Sequence, residues 1–196
     1  MPEQKRLAAA LLAAGASRRF GAEDKLAADF RGKMLGIHAA QAMGAHRFYA
    51  SWVITSRLAH PCDAAWQEAG FQPQCNGAAE EGMGTSAAMA ARLAMEAGAD
   101  ALLIALADMP LVPSEHFGAL IGKAECHGPD FIAGSRGAGA IMPPAVFGSH
   151  HFRALARLGG DAGARDILKD AEAFDCAPHW LIDIDTPEAL AALERS

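Results

Sequence analysis

The sequence predicts an α/β fold, a three-layer sandwich with a mostly parallel central sheet, from three observations. Short apolar segments alternate with segments of helical length along the 196 residues, as in repeated strand–helix units. The apolar segments are continuous rather than alternating, which is typical of strands buried on both faces. Alanine is abundant and the chain has 20 glycines, and small residues let helices pack closely on a sheet. We therefore expect residues 1–196 to form a single domain with a sizeable core.

The strands are predicted from short apolar, β-branched or aromatic runs. The runs LAAALLA and ALLIALA are the most apolar of them, and each is followed by a glycine-rich or proline-containing turn. Pro73 places its strand at an edge of the sheet, because proline cannot donate a ladder hydrogen bond. In chain order the predicted strands are 7–13, 51–55, 71–75, 101–107, 130–134, 145–147 and 181–185.

Segments of helical length lie between these strands and are expected to cover both faces of the sheet. They span about 33–45, 60–69, 85–98, 114–125, 150–158, 163–170 and 187–195. In sheets of this kind a ligand binds outside the carboxyl ends of the strands. A functional site is therefore expected directly after residues 13, 55, 75, 107 and 185.

The composition argues against several classes of partner. The net charge is −6 and the pI about 5.7, which does not suit a general binder of nucleic acid or of membrane surfaces. Aromatic residues make up only 7% of the chain, too few for a surface on which bases stack. No apolar run reaches the roughly 20 residues needed to cross a bilayer. We expect neither a nucleic acid nor a membrane as partner.

The cysteines and histidines do not indicate a metal finger or a hydrolase. None of the four cysteines lies in a CxxC pair, no histidine pair has the spacing of a zinc hydrolase, and Gly-x-Ser-x-Gly is absent. A chain of this size needs no disulfide. We expect free, mostly buried thiols and a cytoplasmic location. The cysteines are Cys62, Cys75, Cys126 and Cys176.

The loop after the first strand has the residues of a phosphate-binding loop. Its small residues let the backbone approach a ligand and offer N–H groups to phosphate oxygens. Arg19 can hold a phosphate at two positions and Lys25 adds a mobile charge. Neither the Walker A pattern nor GxGxxG is present. The expected nucleotide contacts here are Ala13, Ala14, Gly15, Ala16, Ser17, Arg19 and Lys25.

The same stretch, KRLAAALLAAGASRRFG, can also be interpreted as an export signal. Its apolar run, residues 7–14, is at the short end of such signals. Cleavage would remove the first strand and the phosphate-binding loop together. We therefore expect a buried strand and a functional loop here.

The loop resembles the signature of the MobA-like nucleotidyltransferases. LAAGASRRFGAEDKL is similar to LAAGxSxRxG followed by Lys, with Phe20 where Met is usual. The Ala-Ala-Gly form resembles the CTP-using molybdenum cofactor cytidylyltransferases, whereas the GTP-using branch usually has Ala-Gly-Gly. Isoprenoid-pathway cytidylyltransferases usually have Pro-Lys where this chain has Asp24-Lys25. The resemblance implies a Rossmann-like, nucleotide-diphospho-sugar transferase-like fold.

A second segment, NGAAEEGMGTSAAMA at 76–90, resembles the Asn…Gly-Met/Leu-x-x-Ser segment of that family. The resemblance implies that Asn76, Gly82 and Ser86 contact the nucleotide. Thr85 and Ser86 also suit the N-cap of the following helix, whose first N–H groups could bind a phosphate. Capping alone would explain these two residues.

Two aspartates are candidate ligands for Mg²⁺, which prefers carboxylate oxygen. Asp108 directly follows the strand 101–107 in LLIALADMPLV, and LIDIDTPEAL resembles the family's DIDTPEDL. Asp183 and Asp185 both lie in the predicted strand 181–185. We favour Asp185, nearer the strand's end, as the second ligand. The alternative for Asp108 is a surface turn without function.

The acceptor substrate is expected to meet two further segments. ALARLGGDAGARDIL resembles the family's L-x-GD-x-GAR-x-x-L, which implies acceptor contacts at Asp161, Gly163 and Arg165. GAIMPPAVFG is similar to a family segment with Gly-x-Pro-x-x-Phe, which adds Pro144. Met142 and Pro143 depart from that pattern and leave the acceptor open. A helix cap and a local ion pair would also explain Asp161 and Arg165.

The resemblance implies an Mg²⁺-dependent transfer of CMP from CTP to the phosphate of the molybdenum-pterin cofactor, with release of pyrophosphate. The implied catalytic residues are Arg19, Lys25 and Asp108. A recipient molybdoenzyme is implied as a possible partner. One alternative is transfer from GTP or to a different phosphorylated acceptor. Another is a nucleotide-binding regulatory protein without turnover.

Overall fold

The computed structural model describes residues 5–15, 20, 24–160 and 164–195. Within these ranges the strands are β1 (Leu7–Ala13), β2 (Asp29–Phe30), β3 (Lys33–Met34), β4 (Ala50–Thr55), β5 (Gln72–Cys75), β6 (Ala101–Leu106), β7 (Ile132–Arg136), β8 (Met142–Gly148) and β9 (Glu172–Asp175). The α-helices are α1 (His38–Gly44), α2 (Asp63–Glu68), α3 (Met83–Glu96), α4 (Ser114–Cys126), α5 (Phe152–Leu155), α6 (Arg165–Leu168) and α7 (Pro187–Glu194). Single 3₁₀ turns include Lys25–Ala27 and Pro178–Leu181.

Seven strands form the central sheet in the order β5-β4-β1-β6-β8-β7-β9, and β2 pairs with β3 in a separate hairpin. Only β8 runs antiparallel to its neighbours in this sheet. β1 lies between β4 and β6, so the crossovers that leave its two sides run in opposite directions across the sheet. That switch point is where open α/β sheets bind ligands.

Alternate residues of β1 face two separate apolar layers because side chains alternate along a strand. Leu7, Ala9 and Leu11 pack in a cluster with residues of α1, α2 and α4, including Trp66. Ala8, Ala10 and Leu12 pack with residues of α3, α5 and α6. Every residue of β1 is buried. The predicted three-layer sandwich with a mostly parallel sheet is confirmed.

Six predicted strands are present, and the prediction of an edge position for Pro73 is confirmed, since β5 ends the sheet. The predicted strand 181–185 is wrong: residues 182–185 have no regular structure and follow a 3₁₀ turn. There Ile184 is fully buried in a third cluster, with Phe20 and Phe30, which explains the apolar pattern without a strand. The last strand of the sheet is instead β9, too short and polar to be predicted.

The helix predicted at 33–45 is shorter than expected. Lys33–Met34 belongs to the small hairpin, a 3₁₀ turn follows at Leu35–Ile37, and α1 begins at His38. The tight turn between β2 and β3 uses Gly32 at φ 79°, a conformation that favours glycine. The other predicted helices are present with shifted or shorter bounds.

The cysteines are free, as predicted, but the expectation that most are buried is wrong. Only Cys62 is buried, whereas Cys126 is exposed and the other two are intermediate. Burial raises the pKa of the Cys62 thiol to about 12, so this thiol stays protonated. In the described part of the chain no helix is long and apolar enough to cross a membrane.

Candidate active site

Lys25 lies between two carboxylates at the carboxyl edge of the sheet. Its Nζ donates to Asp108 Oδ2 at 2.8 Å and to Asp185 Oδ1 at 3.0 Å. Asp108 and Asp185 lie 83 and 160 positions after Lys25 in the sequence. Asp108 follows β6 within two residues, in the turn that the sequence places at the strand's end. The structure therefore brings together Lys25, Asp108 and Asp185, three of the charged residues predicted for the site.

The Lys25 side chain is only 7% exposed, which is unusual for lysine. Burial works against its charge, but Asp108 and then Asp185 outweigh burial and raise the Lys25 pKa above its ordinary value. The amine therefore stays protonated at neutral pH. A buried ammonium at this edge is a candidate partner for phosphate oxygens.

One carboxylate oxygen at this site has no hydrogen-bond partner among the described residues. Asp108 Oδ1 is buried and accepts no hydrogen bond from the described residues. Buried polar atoms are nearly always partnered in folded proteins, so this oxygen is a candidate ligand atom. Partial burial, followed by the charges of Asp185 and Asp108, raises the pKa of Asp183. Among the described residues of the site, three carboxylates and one ammonium leave an excess of negative charge.

Asp185 reaches the site without the strand that the sequence predicted. The Ile184 N–H donates to the Asp108 carbonyl at 3.0 Å, and the buried Ile184 side chain anchors the segment. Thr186 then caps α7 by accepting a hydrogen bond from the Ala189 N–H. Asp185 thus lies between a buried anchor and a helix cap.

The segment 76–86 forms a buried hydrogen-bond cluster at the start of α3. Asn76 Nδ2 donates to Thr85 Oγ1 at 2.9 Å and to Ser86 Oγ at 3.0 Å, while its Oδ1 accepts from the Ala78 N–H. The expectation that Thr85 and Ser86 cap the helix is wrong, because α3 begins at Met83 and its N-cap is Gly82 at φ 121°. The cluster fixes the geometry of this helix start.

The start of α3 packs tightly against the chain at 159–160. A Cβ at Gly84 would lie 2.9 Å from the carbonyl oxygens of both Gly159 and Gly160. These residues directly precede the segment predicted to contact the acceptor. Gly84 therefore allows two candidate substrate segments to meet.

Gly84→Ala is expected to destabilise the fold by about 1–3 kcal/mol, because backbone atoms must move to admit the methyl group. Gly122→Ala is the matched control within another helix, where a Cβ meets no atom within 4 Å. Removing a helical glycine there should be neutral or stabilising. Thermal unfolding of both variants checks this, and a Gly84→Ala midpoint equal to that of the wild type would contradict the packing described.

The predicted residues of the first loop are described only in part. Ala13 and Ala14 are buried, whereas Gly15 is exposed and a Cβ there would meet no atom within 4 Å. Gly15 thus lies at an open part of the carboxyl edge. The predicted residues Ala16, Ser17, Arg19, Asp161 and Gly163 lie outside the described residues.

The predicted acceptor residues that are described lie in different environments. Arg165 is exposed at the first position of α6. Pro144 is buried at the start of β8, and its carbonyl accepts a hydrogen bond from Ser135 Oγ at 2.7 Å. Ser135 in turn lies 2.7 Å from Nε2 of the buried His116. This network holds β7, β8 and α4 together behind the site.

Two buried histidines should make the protein less stable to unfolding at acidic pH. Burial lowers the pKa of His60 and His116 below the ordinary value of 6.5. The unfolded chain therefore binds these protons first, and the free energy of unfolding falls as the pH drops through 6.5. Urea denaturation between pH 7.5 and 5.5 should show this fall. His116→Gln should show a smaller one, and an equal pH dependence in the two proteins would contradict the assignment.

The model of the MobA-like NTP transferase domain matches residues 9–175. The chain belongs to this family of nucleotidyltransferases. The purine catabolism protein PucB of Bacillus subtilis (strain 168) is 34% identical to it over 205 aligned residues, covering 94% of each chain. The family match spans the loop, the Asp108 turn and β9 but ends before Asp185.

Solved structures share the fold at low sequence identity. A nucleotidyl transferase from Methanothermobacter thermautotroptrophicus has a TM-score of 0.80 at 19% identity, covering 97% of this chain and 96% of that one. A complex of Rv0371C from Mycobacterium tuberculosis H37Rv with manganese has a TM-score of 0.68 at 21% identity, covering 97% and 99%. These similarities confirm the nucleotidyltransferase fold.

Sequence reasoning missed a set of polar side chains around Asp24. Arg57 Nη2 lies 2.7 Å and His60 Nε2 2.8 Å from Asp24 Oδ2. Both residues follow β4 at the carboxyl edge, where the rule for parallel sheets directed attention to the chain after residue 55. The position of Arg57 and His60 after a strand was visible in the sequence. Nothing in the sequence, however, pairs Asp24 with residues more than 30 positions away.

Proposed function

We propose that this nucleotidyltransferase transfers CMP from CTP to the phosphate of a molybdenum-pterin cofactor and releases pyrophosphate. The observation that carries the proposal is the buried Lys25 amine between Asp108 and Asp185. It lies at the carboxyl edge of the sheet, where the loop with the family signature begins. Carboxylates beside a buried cation suit the joint binding of a divalent cation and phosphates that nucleotidyl transfer requires.

The residues present fit a divalent cation held jointly with nucleotide. The described residues contain no group of three or more His, Cys, Asp or Glu side chains arranged to hold a metal alone. Mg²⁺ is commonly bound by one or two carboxylates together with substrate phosphates. Asp108, with its unpartnered oxygen, and Asp185 would hold the ion. A structural relative in complex with manganese supports a divalent metal in this fold. When bound, the cation neutralises charge on the phosphates.

The reaction proposed requires alignment of two anions rather than a strong base. A phosphate oxygen of the acceptor attacks the α-phosphorus of CTP, a new P–O bond forms, and the bond to the β-phosphate oxygen breaks. The attacking oxygen is already ionised, so no proton must be removed. Lys25 keeps its proton and would hold the β- and γ-phosphates as charge builds on pyrophosphate. Arg19 is proposed to act beside it.

The choice of CTP is supported by the Ala13-Ala14-Gly15 form of the loop, which resembles the CTP-using branch. The molybdenum-pterin acceptor is supported by the same resemblance and by the acceptor-like segment that leads into Arg165. The relative PucB is named for purine catabolism. Phosphorylated compounds of that metabolism should therefore also be tested as acceptors. Met142 and Pro143 depart from the family pattern next to Pro144.

Pyrophosphate release tests the proposal. The purified protein is incubated with Mg²⁺, the molybdenum-loaded pterin and each nucleoside triphosphate in turn. We expect release with CTP and none when the pterin is omitted. Release with GTP alone would support the guanylyl alternative, and nucleotide binding without release would support a regulatory protein. Either result would contradict the proposed activity.

A further inference from the structure

We propose that His60 is a positioning residue, which fixes the turn that carries Lys25 through the carboxylate of Asp24. The inference rests on the proposed function, because it assigns Lys25 to the β- and γ-phosphates of the nucleotide. The His60 ring contacts Asp24, Cys62 and Trp66. It acts on the residue that directly precedes Lys25.

Both carboxylate oxygens of Asp24 accept hydrogen bonds. Its Oδ1 accepts a hydrogen bond from the Leu26 N–H at 3.0 Å and so caps the 3₁₀ turn Lys25–Ala27. Its Oδ2 accepts from His60 Nε2 at 2.8 Å and from Arg57 Nη2 at 2.7 Å. The His60 side chain is 4% exposed, whereas that of Arg57 is 49% exposed. Exposed ion pairs contribute little, so His60 is the main anchor of Asp24.

The tautomer of His60 follows from its hydrogen bonds. The Cys62 N–H donates to His60 Nδ1 at 3.1 Å, so Nδ1 accepts and the proton resides on Nε2. Nε2–H then donates to Asp24. The ring stacks on Trp66 at a centroid distance of 4.7 Å, and Trp66 Nε1 donates to the Gly36 carbonyl. Burial lowers the pKa of His60, in agreement with a neutral ring.

The same segment contacts the turn on the far side of Lys25. The Cys62 Sγ donates to the Leu26 carbonyl at 3.4 Å. His60 and Cys62 therefore hold Asp24 and Leu26, the two residues that flank Lys25. A lysine has four rotatable side-chain bonds, so a fixed backbone is needed for its amine to occupy one position. The surrounding groups position catalytic side chains in this way in many enzymes.

Comparison of CTP and CMP binding separates positioning from general stability. CMP lacks the β- and γ-phosphates that Lys25 would hold. We expect His60→Ala to weaken CTP binding by roughly tenfold, which is the lower end of the range for loss of a supporting contact. The affinity for CMP should stay within about twofold of the wild-type value. Asp24→Asn keeps only one acceptor oxygen, which cannot serve both the Leu26 N–H and the two side-chain donors, and should show the same selective loss. His60→Gln, whose amide can donate to Asp24, should restore the wild-type ratio.

Titration calorimetry of the full chain with each nucleotide gives both affinities, and Arg57→Ala is the control on the exposed partner. Equal affinities in His60→Ala and wild type, or equal losses for CTP and CMP, would overturn the positioning role. A wild-type protein that releases no pyrophosphate would contradict the proposed function instead. The CTP-to-CMP ratio tests His60 in either case, because binding is measured without turnover.

Discussion

Asp108→Ala should abolish most pyrophosphate release while nucleotide binding is partly retained. In the proposed mechanism Asp108 provides the buried carboxylate for the divalent cation, through an oxygen that no described residue satisfies. Such a cation contributes several kcal/mol to stabilising the transition state, and each ~1.4 kcal/mol corresponds to a factor of ten. We therefore expect kcat to fall by about 10³-fold. A steady-state pyrophosphate assay with saturating CTP measures it.

Two controls separate this effect from loss of the fold. Asp108→Ala relieves repulsion with Asp183 but also removes one of the two carboxylate partners of the buried Lys25, so it should lose roughly 1–3 kcal/mol of folding free energy and still be folded at the assay temperature. Asp100→Ala removes an exposed partner of Arg6 at the opposite edge of the sheet and should keep full activity. Full activity in Asp108→Ala would show that this carboxylate has no part in the reaction.

Lys25→Met should lower both activity and stability. Removing one preorganised charged donor costs roughly 10²–10³-fold in kcat, and the KM for CTP should rise because the β- and γ-phosphates lose a cation. Met fills a similar volume, so packing is largely kept. The loss of two charged hydrogen bonds, to Asp108 and Asp185, should cost about 2 kcal/mol of folding free energy.

The stability of Lys25→Met should also respond to pH in a distinctive way. Burial and the neighbouring carboxylates already raise the pKa of Asp183 while the Lys25 ammonium lowers it, so without the ammonium the carboxylates repel each other more strongly and the Asp183 pKa should rise further. Protonation then relieves the repulsion, so the deficit relative to wild type should shrink as the pH falls from 7 to 5. Lys123→Met is the matched control, since Lys123 pairs with Glu172 at an exposed site. A deficit that does not change with pH would contradict the charge balance proposed for the site.

The strands of the sheet could be predicted because each is a local apolar run in the sequence. The segments that bring residues to the site could be predicted only in part. β1 and β6 are uniformly apolar and stop at small residues or an aspartate, so both the strands and the site edge follow from the sequence. Lys25 and Asp108 could be placed together because both follow strands whose carboxyl ends share that edge. Asp185 does lie beside Lys25, although the strand predicted to carry it there is absent and its role as a metal ligand stays a prediction.

The remaining features depend on contacts between distant segments. Ile184 resembles a strand residue in sequence, but its pairing with Asp108 and its burial beside Phe20 decide its conformation. His60 has no sequence pattern that would reveal its tautomer or its bond to Asp24. The cluster of Asn76 with Thr85 and Ser86 looked like a helix cap because hydroxyl residues favour that position. In each case tertiary contacts outweighed the local preference.

Nucleotidyl transfer to the pterin is tested most directly by following the α-phosphate of CTP. CTP labelled at the α-phosphate or at the γ-phosphate is incubated with the protein, Mg²⁺ and the molybdenum-loaded pterin, and the products are separated. We expect the α-label to enter the pterin product and the γ-label to leave in pyrophosphate, in equal amounts. An α-label that stays in CTP, or that appears only as free CMP or CDP, would contradict nucleotidyl transfer to this acceptor.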